Sequence, residues 1–363
     1  MDAERSRTRD FDWWLLLLTL AICAIGFVQI YSATQEGNLR GMHWRHLLWV
    51  ALGLTCMIVV SRIDYHAILE QAPILYVIGL AALVAVLAVG ERKFGHKSWI
   101  QVGGLTLQVS ELVKLIIIIV LARFFSEVRS DRLSLLDLAK AGVLTVLPIG
   151  LILMQPDAGT AMMTVPVLVM GAFLAGLQWR HAAGALLLAA LLVPASWMIL
   201  KPYQKERIQT YFEPDNRPQS AGYQSRQARI AVGSGGIWGK GIGKGSQNQL
   251  GYLPVRWSDF IFAAMAEELG FAGVFAALVL YMVLLLRLVE NAQRAYDRAG
   301  MYLVMGVAAV LGIHVLWNVA MVIGYLPVTG IPLPLMSYGG SATLFVFLGL
   351  GLVMNVRMRR FVN

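Results

Sequence analysis

Ten apolar runs constrain what this chain can fold into more than any other feature of its sequence. They lie near residues 13–32, 46–61, 73–90, 108–123, 139–155, 159–176, 181–200, 260–286, 302–325 and 337–356. A helix that spans a bilayer needs roughly 20 mostly apolar residues, and 58% of the 363 residues are apolar whereas only 14% are charged. We therefore predict an all-α polytopic membrane protein with ten transmembrane helices in a single domain, 1–363. This composition excludes a soluble enzyme, a fibrous protein and a disordered chain.

The basic residues indicate which side of the membrane each loop faces. If the N-terminus is inside, the inner segments contain fifteen Lys and Arg residues and the short outer loops contain five. Lys and Arg are enriched in short cytoplasmic loops, so both termini are predicted to be cytoplasmic. Membrane topology then accounts for the net charge of +9, which gives no reason to expect nucleic acid as a partner.

The cysteine content predicts neither a disulfide framework nor a zinc site. Cys23 and Cys56 are the only two cysteines, and both lie inside apolar runs. Free cysteines in such surroundings behave as small hydrophobic residues. We therefore assign no metal ligands from the sequence.

A large outer loop, residues 201–258, lies between the seventh and eighth predicted helices and contains nine basic and three acidic residues, a net charge of +6. Its middle, GSGGIWGKGIGKGSQ, has seven glycines within thirteen residues, interleaved with Lys240 and Lys244. Glycine backbone can curl its N–H groups around phosphate oxygens, so one interpretation is an anion-binding surface. The other is a solvated loop that touches anionic lipid headgroups. Neither Gly-Lys pair is followed by Ser or Thr, so this is not a P-loop.

Charged residues inside or beside the apolar runs mark candidate functional positions, because burying a charge in lipid is costly. Glu111 and Lys114 lie three residues apart in the fourth run, so they can pair on one helix face. Alternatively, Lys114 holds a negative group near the outer leaflet. Asp157 follows Pro156 between two runs, where it can cap the next helix or belong to a functional site.

Asp259 is a candidate general base at the start of the eighth run, in the string RWSDFIFAAMAEELG, next to the basic, glycine-rich loop. Residues 269–286 are uncharged and long enough to cross a bilayer alone. Residues 260–268 are therefore expected to extend the helix outward or to line a cavity. A carboxylate beside an anion site is the arrangement expected of a general base, and helix N-capping is the simpler alternative. Glu267 and Glu268 are interpreted as packing or pairing groups.

The segment GYLPVTGIPLPLMSYGGSA, residues 324–342, joins the last two runs and contains three prolines. Prolines at this density are incompatible with a plain helix. Irregular backbone at membrane depth is tolerated only where protein buries it or where it lines a cavity. We therefore expect this segment, with Asn318 just before it, to shape the outer mouth of a site. A simple connecting hairpin is the alternative.

Several sequence blocks, in this order, resemble the SEDS family, the shape, elongation, division and sporulation proteins. They are SWIQVGGLTLQVSELVKL (98–115), QPDAGT (155–160), PYQKERI (202–208), GYQSRQARIAVGSGG (222–236), SDFIFAAMAEELG (258–270) and GIPLPLMSYGGS (330–341). The resemblance covers nearly the whole chain, and GIPLP is more similar to the RodA branch than to the FtsW branch. It implies a ten-span peptidoglycan glycosyltransferase of the bacterial inner membrane, with its active site facing the periplasm.

The resemblance also assigns residues. It puts the catalytic aspartate at Asp259. The expected substrate-binding residues are Glu111, Lys114 and Asp157, the outer-loop residues Arg207, Lys240 and Lys244, and Ser337 of the SYGGS block. Three positions depart from the family pattern, where Val109 replaces a usual Pro, Val255 a usual Glu and Ser258 a usual Thr. Position 255 therefore cannot supply a carboxylate.

The implied reaction joins two molecules of lipid II, the disaccharide pentapeptide carried on undecaprenyl pyrophosphate. A sugar hydroxyl attacks an anomeric carbon, and Asp259 is predicted to take the hydroxyl proton. Pyrophosphate leaves without a proton if its charge is neutralised. Basic side chains are predicted to supply that charge, with Mg²⁺ or Mn²⁺ as a candidate cofactor. A single attack on the α-linked donor should invert it to a β-linkage.

Two other functions fit the same sequence. Ten helices with internal charges and an outer anion surface would also suit a lipid II flippase. Its polar groups should line a path through both leaflets, however, whereas those noted above gather at the outer ends. A scaffold would act by docking a partner. The resemblance implies a class B penicillin-binding protein, a transpeptidase, as that partner, together with other elongation-machinery proteins and membrane lipid.

Overall fold

The computed structural model describes residues 11–35, 39–93, 96–102, 105–128, 132–196, 198, 202–212 and 221–360, which are mostly helical. The helices are α1 (Trp13–Ala33), α2 (Met42–Arg62), α3 (Tyr65–Glu70), α4 (Ala72–Val89), α5 (Val109–Glu127), α6 (Leu135–Met154), α7 (Ala158–Met162), α8 (Val165–Leu174), α9 (Trp179–Ser196), α10 (Pro202–Phe212), α11 (Ala221–Ser234), α12 (Ser246–Gln249), α13 (Ile261–Gln293), α14 (Arg298–Ile323) and α15 (Gly340–Met358). The strands are β1 (Glu91–Lys93), β2 (His96–Val102) and β3 (Leu105–Gln108).

Every predicted apolar run overlaps at least one helix. Within the described residues, seven helices are long and apolar enough to cross a membrane, namely α1, α2, α4, α6, α13, α14 and α15. The fourth run is helix α5, which carries several charged residues, and the sixth run is divided into the short helices α7 and α8. A helical, multi-pass membrane protein is therefore confirmed, whereas ten crossings and cytoplasmic termini stay predictions.

A three-stranded antiparallel sheet, in the order β1-β2-β3, lies between α4 and α5. Trp99 pairs with Gln108, and Val102 pairs with Leu105. The expectation of an all-α protein is wrong here, because Leu-Thr-Leu-Gln of β3 alternates apolar and polar side chains, a pattern that favours a strand. The Ser98 hydroxyl donates to the Gln155 carbonyl at 3.3 Å, which attaches the sheet to the turn before α7.

The longest helix, α13, is broken at Gly270. This residue has φ 67° and ψ −168°, a combination that is essentially restricted to glycine. The break lies at the boundary that the sequence predicts between an extension, 260–268, and a spanning part, 269–286. A break of this kind leaves backbone groups of the helix without their usual partners.

The glycine-rich loop, residues 235–245, supplies those partners. The N–H groups of Lys240 and Gly241 donate to carbonyls on one side of the break at 3.0 and 2.9 Å. On the other side, the N–H groups of Phe271 and Ala272 donate to loop carbonyls at 2.9 and 3.0 Å. The loop and the first part of α13 are therefore one hydrogen-bonded unit.

Replacing Gly270 with alanine is expected to destabilise the protein strongly. A Cβ at this position would lie 2.2 Å from the backbone nitrogen of Gly239, and the backbone conformation alone costs a non-glycine residue on the order of 1–3 kcal/mol. Gly312→Ala in α14 is the matched control, since its Cβ would meet side-chain atoms no closer than 3.8 Å. Thermal unfolding in detergent should show a clear loss for Gly270→Ala and no loss for Gly312→Ala. Equal stability of the two variants would contradict the hydrogen-bonded pairing of the glycine-rich loop with the break in α13.

At the end of α13 far from Gly270, the side chain of Asp12 connects three helices, α1, α13 and α15. Its carboxylate accepts from the N–H of Leu15 at 3.2 Å, which caps α1. It also accepts from Arg287 at 2.9 Å and from Asn291 at 3.0 Å on α13, and Arg357 on α15 lies 3.3 Å away. Burial alone would raise the pKa of Asp12, but the hydrogen bonds from Arg287 and Asn291 outweigh it, and the pKa lies below its ordinary value.

Asp12→Asn is expected to cost roughly 2 kcal/mol, less than the 3–5 kcal/mol lost when one partner of a deeply buried pair is removed, because Arg287 keeps Glu290 as a partner. A carboxylate with a depressed pKa stabilises the fold above its ordinary pKa, 3.8 here, and that contribution is lost as pH falls through the folded-state value. The difference in Tm between the two proteins should therefore be constant near neutral pH and shrink only in strong acid. Glu127→Gln, at an exposed helix end, is the control, and a difference that already shrinks near neutral pH would contradict the assignment.

Candidate active site

Asp259 lies in the turn that leads into α13 and is partly exposed. The hydroxyl of Ser258 donates to its Oδ1 at 3.0 Å. The N-cap position of α13 is Phe260, and no side chain caps this helix end, so the N-capping interpretation of Asp259 is wrong. Its Oδ2 lies near Gly330, since a Cβ added to Gly330 would be 3.3 Å from this oxygen. The carboxylate therefore lies next to the backbone of the 324–342 segment.

Ser337 holds the turn before Asp259 in position. Its hydroxyl donates to the carbonyl of Ser258 at 2.7 Å and accepts from the N–H of Leu333 at 2.8 Å. Next to it, the N–H of Tyr338 donates to the carbonyl of Trp257 at 2.9 Å. Because Ser337 is buried and bonded to backbone on both sides, its geometry is that of a positioning residue for Asp259.

Asn318 on α14 provides a further link to the same turn. Its side-chain amide donates to the carbonyls of Asp259 at 2.9 Å and Ile331 at 2.7 Å. Between Gly324, the C-cap of α14, and Gly340, which begins α15, the backbone is non-helical, as the prolines predict. The 324–342 segment therefore wraps around the Asp259 turn and is more than a connecting hairpin.

Asp157 is a helix cap, one of the two interpretations of the sequence, and it also contacts the start of α5. One carboxylate oxygen caps α7 by accepting from the N–H of Thr160 at 3.1 Å. The other accepts from the side chains of Gln108 at 2.6 Å and Ser110 at 3.1 Å. In the same short helix, a Cβ on Gly159 would lie 2.9 Å from the carbonyl of Thr329. Asp157 thus ties the start of α5 to the segment that wraps the Asp259 turn.

Glu111 and Lys114 form an ion pair of 2.9 Å on α5, with the Lys114 side chain 0% exposed. The ammonium also lies 3.1 Å from Nε2 of His314 and 4.6 Å from the ring centre of Phe345. Since Nδ1 of His314 is 2.8 Å from the carbonyl of Val310, Nδ1 carries the proton and neutral Nε2 accepts from Lys114. Among the described residues, Oε2 of Glu111 has no hydrogen-bond partner.

His314 is a site residue that sequence reasoning missed. It lies four residues before Asn318 on α14, so the two share one helix face, and this spacing of polar residues inside an apolar run was the available signal. The ammonium of Lys114 and the turn of Asp259 therefore contact α14 about one helical turn apart, roughly 6 Å.

Arg45 is a second residue that the sequence analysis missed, because it was counted there only among the five basic residues of the short outer loops. Its guanidinium hydrogen-bonds the side chain of Tyr338, whose backbone is bonded to the Asp259 turn. Burial raises the pKa of the Tyr338 hydroxyl, and Arg45 offsets part of that rise. A positive charge therefore lies close to the wrapped segment.

Of the three outer-loop cations predicted to bind substrate, Lys240 is paired with a carboxylate of the protein itself. Lys240 pairs with Glu267 at 2.7 Å and hydrogen-bonds Ser246 at 2.9 Å, so its charge is neutralised by a buried carboxylate. Lys244 is exposed. Arg207 lies in α10, but its side chain is outside the described part of the structure. Lys240 therefore contacts the first part of α13 at Glu267, eight residues beyond Asp259 in the chain.

Backbone N–H groups next to the glycine-rich loop bind an anion, as the sequence suggests, but the anion is a side chain. The N–H groups of Gln247 and Asn248 donate to the Glu267 carboxylate at 3.0 and 3.2 Å. The neighbouring Glu268 accepts from Ser32 at 2.6 Å and from the side chain of Asn248 at 2.7 Å. The interpretation of both glutamates as pairing groups is consistent with these contacts. In the part of the chain that the structure describes, no cluster of three or more His, Cys, Asp or Glu is arranged to hold a metal ion.

These features define a multi-pass membrane protein with a candidate active site centred on one carboxylate at one end of its helices. The sequence profile of the cell cycle proteins FtsW, RodA and SpoVE matches residues 13–361. The chain is 38% identical over 350 residues to the peptidoglycan glycosyltransferase MrdB of Escherichia coli K12, covering 96% of this chain and 94% of that protein. This chain belongs to the FtsW, RodA and SpoVE family.

Solved structures agree with this assignment. A chain from a structure of a peptidoglycan synthase complex that coordinates polymerisation and crosslinking superposes with a TM-score of 0.84 at 34% identity, covering 97% of this chain and 99% of that one. The rod shape determining protein RodA of Thermus thermophilus superposes with a TM-score of 0.73 at 30% identity, covering 97% and 98%. The fold is therefore shared over nearly the whole length of each protein.

Proposed function

We propose that this chain is a peptidoglycan glycosyltransferase that polymerises lipid II into glycan strands during cell elongation, at the periplasmic face of the bacterial inner membrane. Family membership and relatives that carry this activity in their names support the enzyme class. The observation that carries the mechanism is the Asp259 turn, where a partly exposed carboxylate accepts from Ser258 and the backbone of the turn is held by the wrapped 324–342 segment.

In the proposed reaction, Asp259 acts as the general base. Ser258 donates to Oδ1, and Oδ2 lies beside Gly330, whose missing Cβ leaves space for a sugar hydroxyl. The hydroxyl O–H bond breaks toward the carboxylate as the hydroxyl oxygen forms a bond to the anomeric carbon of the donor. The bond from that carbon to the pyrophosphate oxygen breaks with its electron pair, so the α-linked donor becomes a β-linked product. General-base assistance contributes roughly 10²–10⁴-fold to such steps.

The leaving pyrophosphate needs positive charge, because it departs without accepting a proton. Arg45 lies beside the wrapped segment, so we propose that it supplies this charge, with Arg207 as a second cation. Lys114 is proposed to stabilise the pyrophosphate charge from inside the protein, as a buried cation that Glu111 and His314 hold in position. Mg²⁺ or Mn²⁺ could add to this neutralisation, with the diphosphate oxygens as its main ligands.

Incubating the purified protein with fluorescent lipid II tests this function against its two alternatives. We expect long glycan products in detergent, where no membrane separates two compartments. A flippase would instead move labelled lipid II across proteoliposomes without extending it. A scaffold would form neither product but would still bind its partner. Addition of EDTA, with Mg²⁺ and Mn²⁺ restored separately, tests the role of the cation.

A transpeptidase of the class B penicillin-binding type is the proposed partner, together with other elongation-machinery proteins. The support is the close superposition on a chain from a synthase complex that joins polymerisation and crosslinking. Performing the lipid II assay with and without the transpeptidase separates intrinsic activity from activity that depends on the complex.

A further inference from the structure

The glycine-rich loop exposes large apolar side chains. Trp238 is 81% exposed, Ile237 is 65% exposed and Ile242 is 50% exposed. A cluster of this kind in water marks a binding surface. Because Lys240 is neutralised by Glu267, the loop is less polar than its sequence suggests.

The hydrogen bonds of the loop fix its level along α13. Its carbonyls at Gly236 and Ile237 accept from Phe271 and Ala272, which directly follow the break at Gly270 in α13, a helix apolar enough to cross a membrane. The side chains of Phe271 and Phe275 are exposed there, where lipid surrounds a spanning helix. The apolar side chains of the loop therefore continue the lipid-facing surface of α13.

Much of the loop backbone is hydrogen-bonded within the protein. Six of its eleven N–H groups donate to protein acceptors, which lowers the cost of placing irregular backbone at the edge of an apolar phase. The loop N–H groups that donate internally are those of Gly235, Gly239, Lys240, Gly241, Gly243 and Lys244. A loop that only touched water would not need this degree of internal bonding.

We infer that the loop, residues 235–245, docks in the adjacent lipid leaflet, with Ile237, Trp238 and Ile242 among the acyl chains and the Lys244 ammonium at the lipid phosphates. Tryptophan favours this interface, and a lysine can extend its head to the phosphate level while its stem stays in apolar surroundings. Since the loop is bonded to the first part of α13, docking would fix the depth of the Asp259 turn. This inference goes beyond the proposed function and does not depend on it.

Depth measurements in proteoliposomes test the inference directly. An environment-sensitive NBD group is attached to cysteine at position 238 or 242 in a Cys23→Ala, Cys56→Ala chain reconstituted in phosphatidylcholine vesicles. Position 275 on the spanning part of α13 is the lipid-exposed control, and position 70, an exposed polar residue at the end of α3, is the water-exposed control.

We expect blue-shifted emission at 238 and 242, with quenching by acyl-chain nitroxides comparable to that at 275 and several-fold above that at 70. In vesicles containing phosphatidylglycerol, Lys244→Gln should reduce quenching at 238, whereas Lys140→Gln on α6 should not. Water-like emission with iodide quenching at both loop positions would overturn the inference. So would a blue shift that appears only when a protein partner is added, because the loop would then be a protein-docking surface.

Discussion

Asp259→Asn is expected to lower the rate of glycan polymerisation by about 10²–10⁴-fold, the usual contribution of a general base. The amide is nearly isosteric with the carboxylate and can still accept the Ser258 hydroxyl at its oxygen, so the turn should keep its shape. What is lost is the ability to take a proton. The fall should appear in kcat with little change in KM, because the missing interaction is made in the transition state.

A matched control separates this effect from general damage. Asp137→Asn changes an aspartate at the start of α6 that pairs with Ser134 and Lys140, far along the chain from the site. It should keep near-normal activity. If a folded Asp259→Asn protein polymerised lipid II at the normal rate, the general-base proposal would be wrong, although the enzyme class could stand. If both variants lost activity together, the loss would not be specific to the site.

The helices of the fold could be predicted from the sequence, because a run of apolar residues near bilayer length has few alternatives. The sheet could not be predicted from the same measure, since β3 is too short and too polar to register as an apolar run. The break at Gly270 was visible only as a boundary between a charged extension and an uncharged part. What fixes it is hydrogen bonding to a loop some thirty residues earlier, and hydropathy contains no information about such pairings.

The candidate site was predictable in its residue types and less so in its partners. Asp259 was recognisable because a carboxylate at the end of a membrane-spanning run is energetically costly and therefore indicates a structural or functional role. The basic loop suggested an anion site, but Lys240 and the amides of Gln247 and Asn248 turn out to serve Glu267. Two charges 27 residues apart can pair only once the chain has folded back, which no local pattern reveals.

Lys114→Met is expected to destabilise the protein by about 3–5 kcal/mol, because it leaves the buried Glu111 carboxylate without its cation. The double variant Glu111→Gln, Lys114→Met removes both charges and should recover most of that stability, since apolar or neutral replacements of a buried pair are often tolerated. Thermal unfolding of the two variants in detergent measures this step. A single variant as stable as the parent protein would mean that Glu111 finds another partner.

The same double variant decides whether the pair has a function beyond folding. A buried polar atom without a partner, such as Oε2 of Glu111 among the described residues, calls for an explanation, and a contact made only with bound substrate would provide one. We therefore expect the double variant to regain its stability but to polymerise lipid II at least tenfold more slowly than the parent, roughly the effect of losing 1.4 kcal/mol of transition-state stabilisation. His314→Gln, which can still offer an oxygen to Lys114, should retain more activity than His314→Leu. Full activity in a stable double variant would reduce Glu111 and Lys114 to a structural pair and remove both from the substrate site.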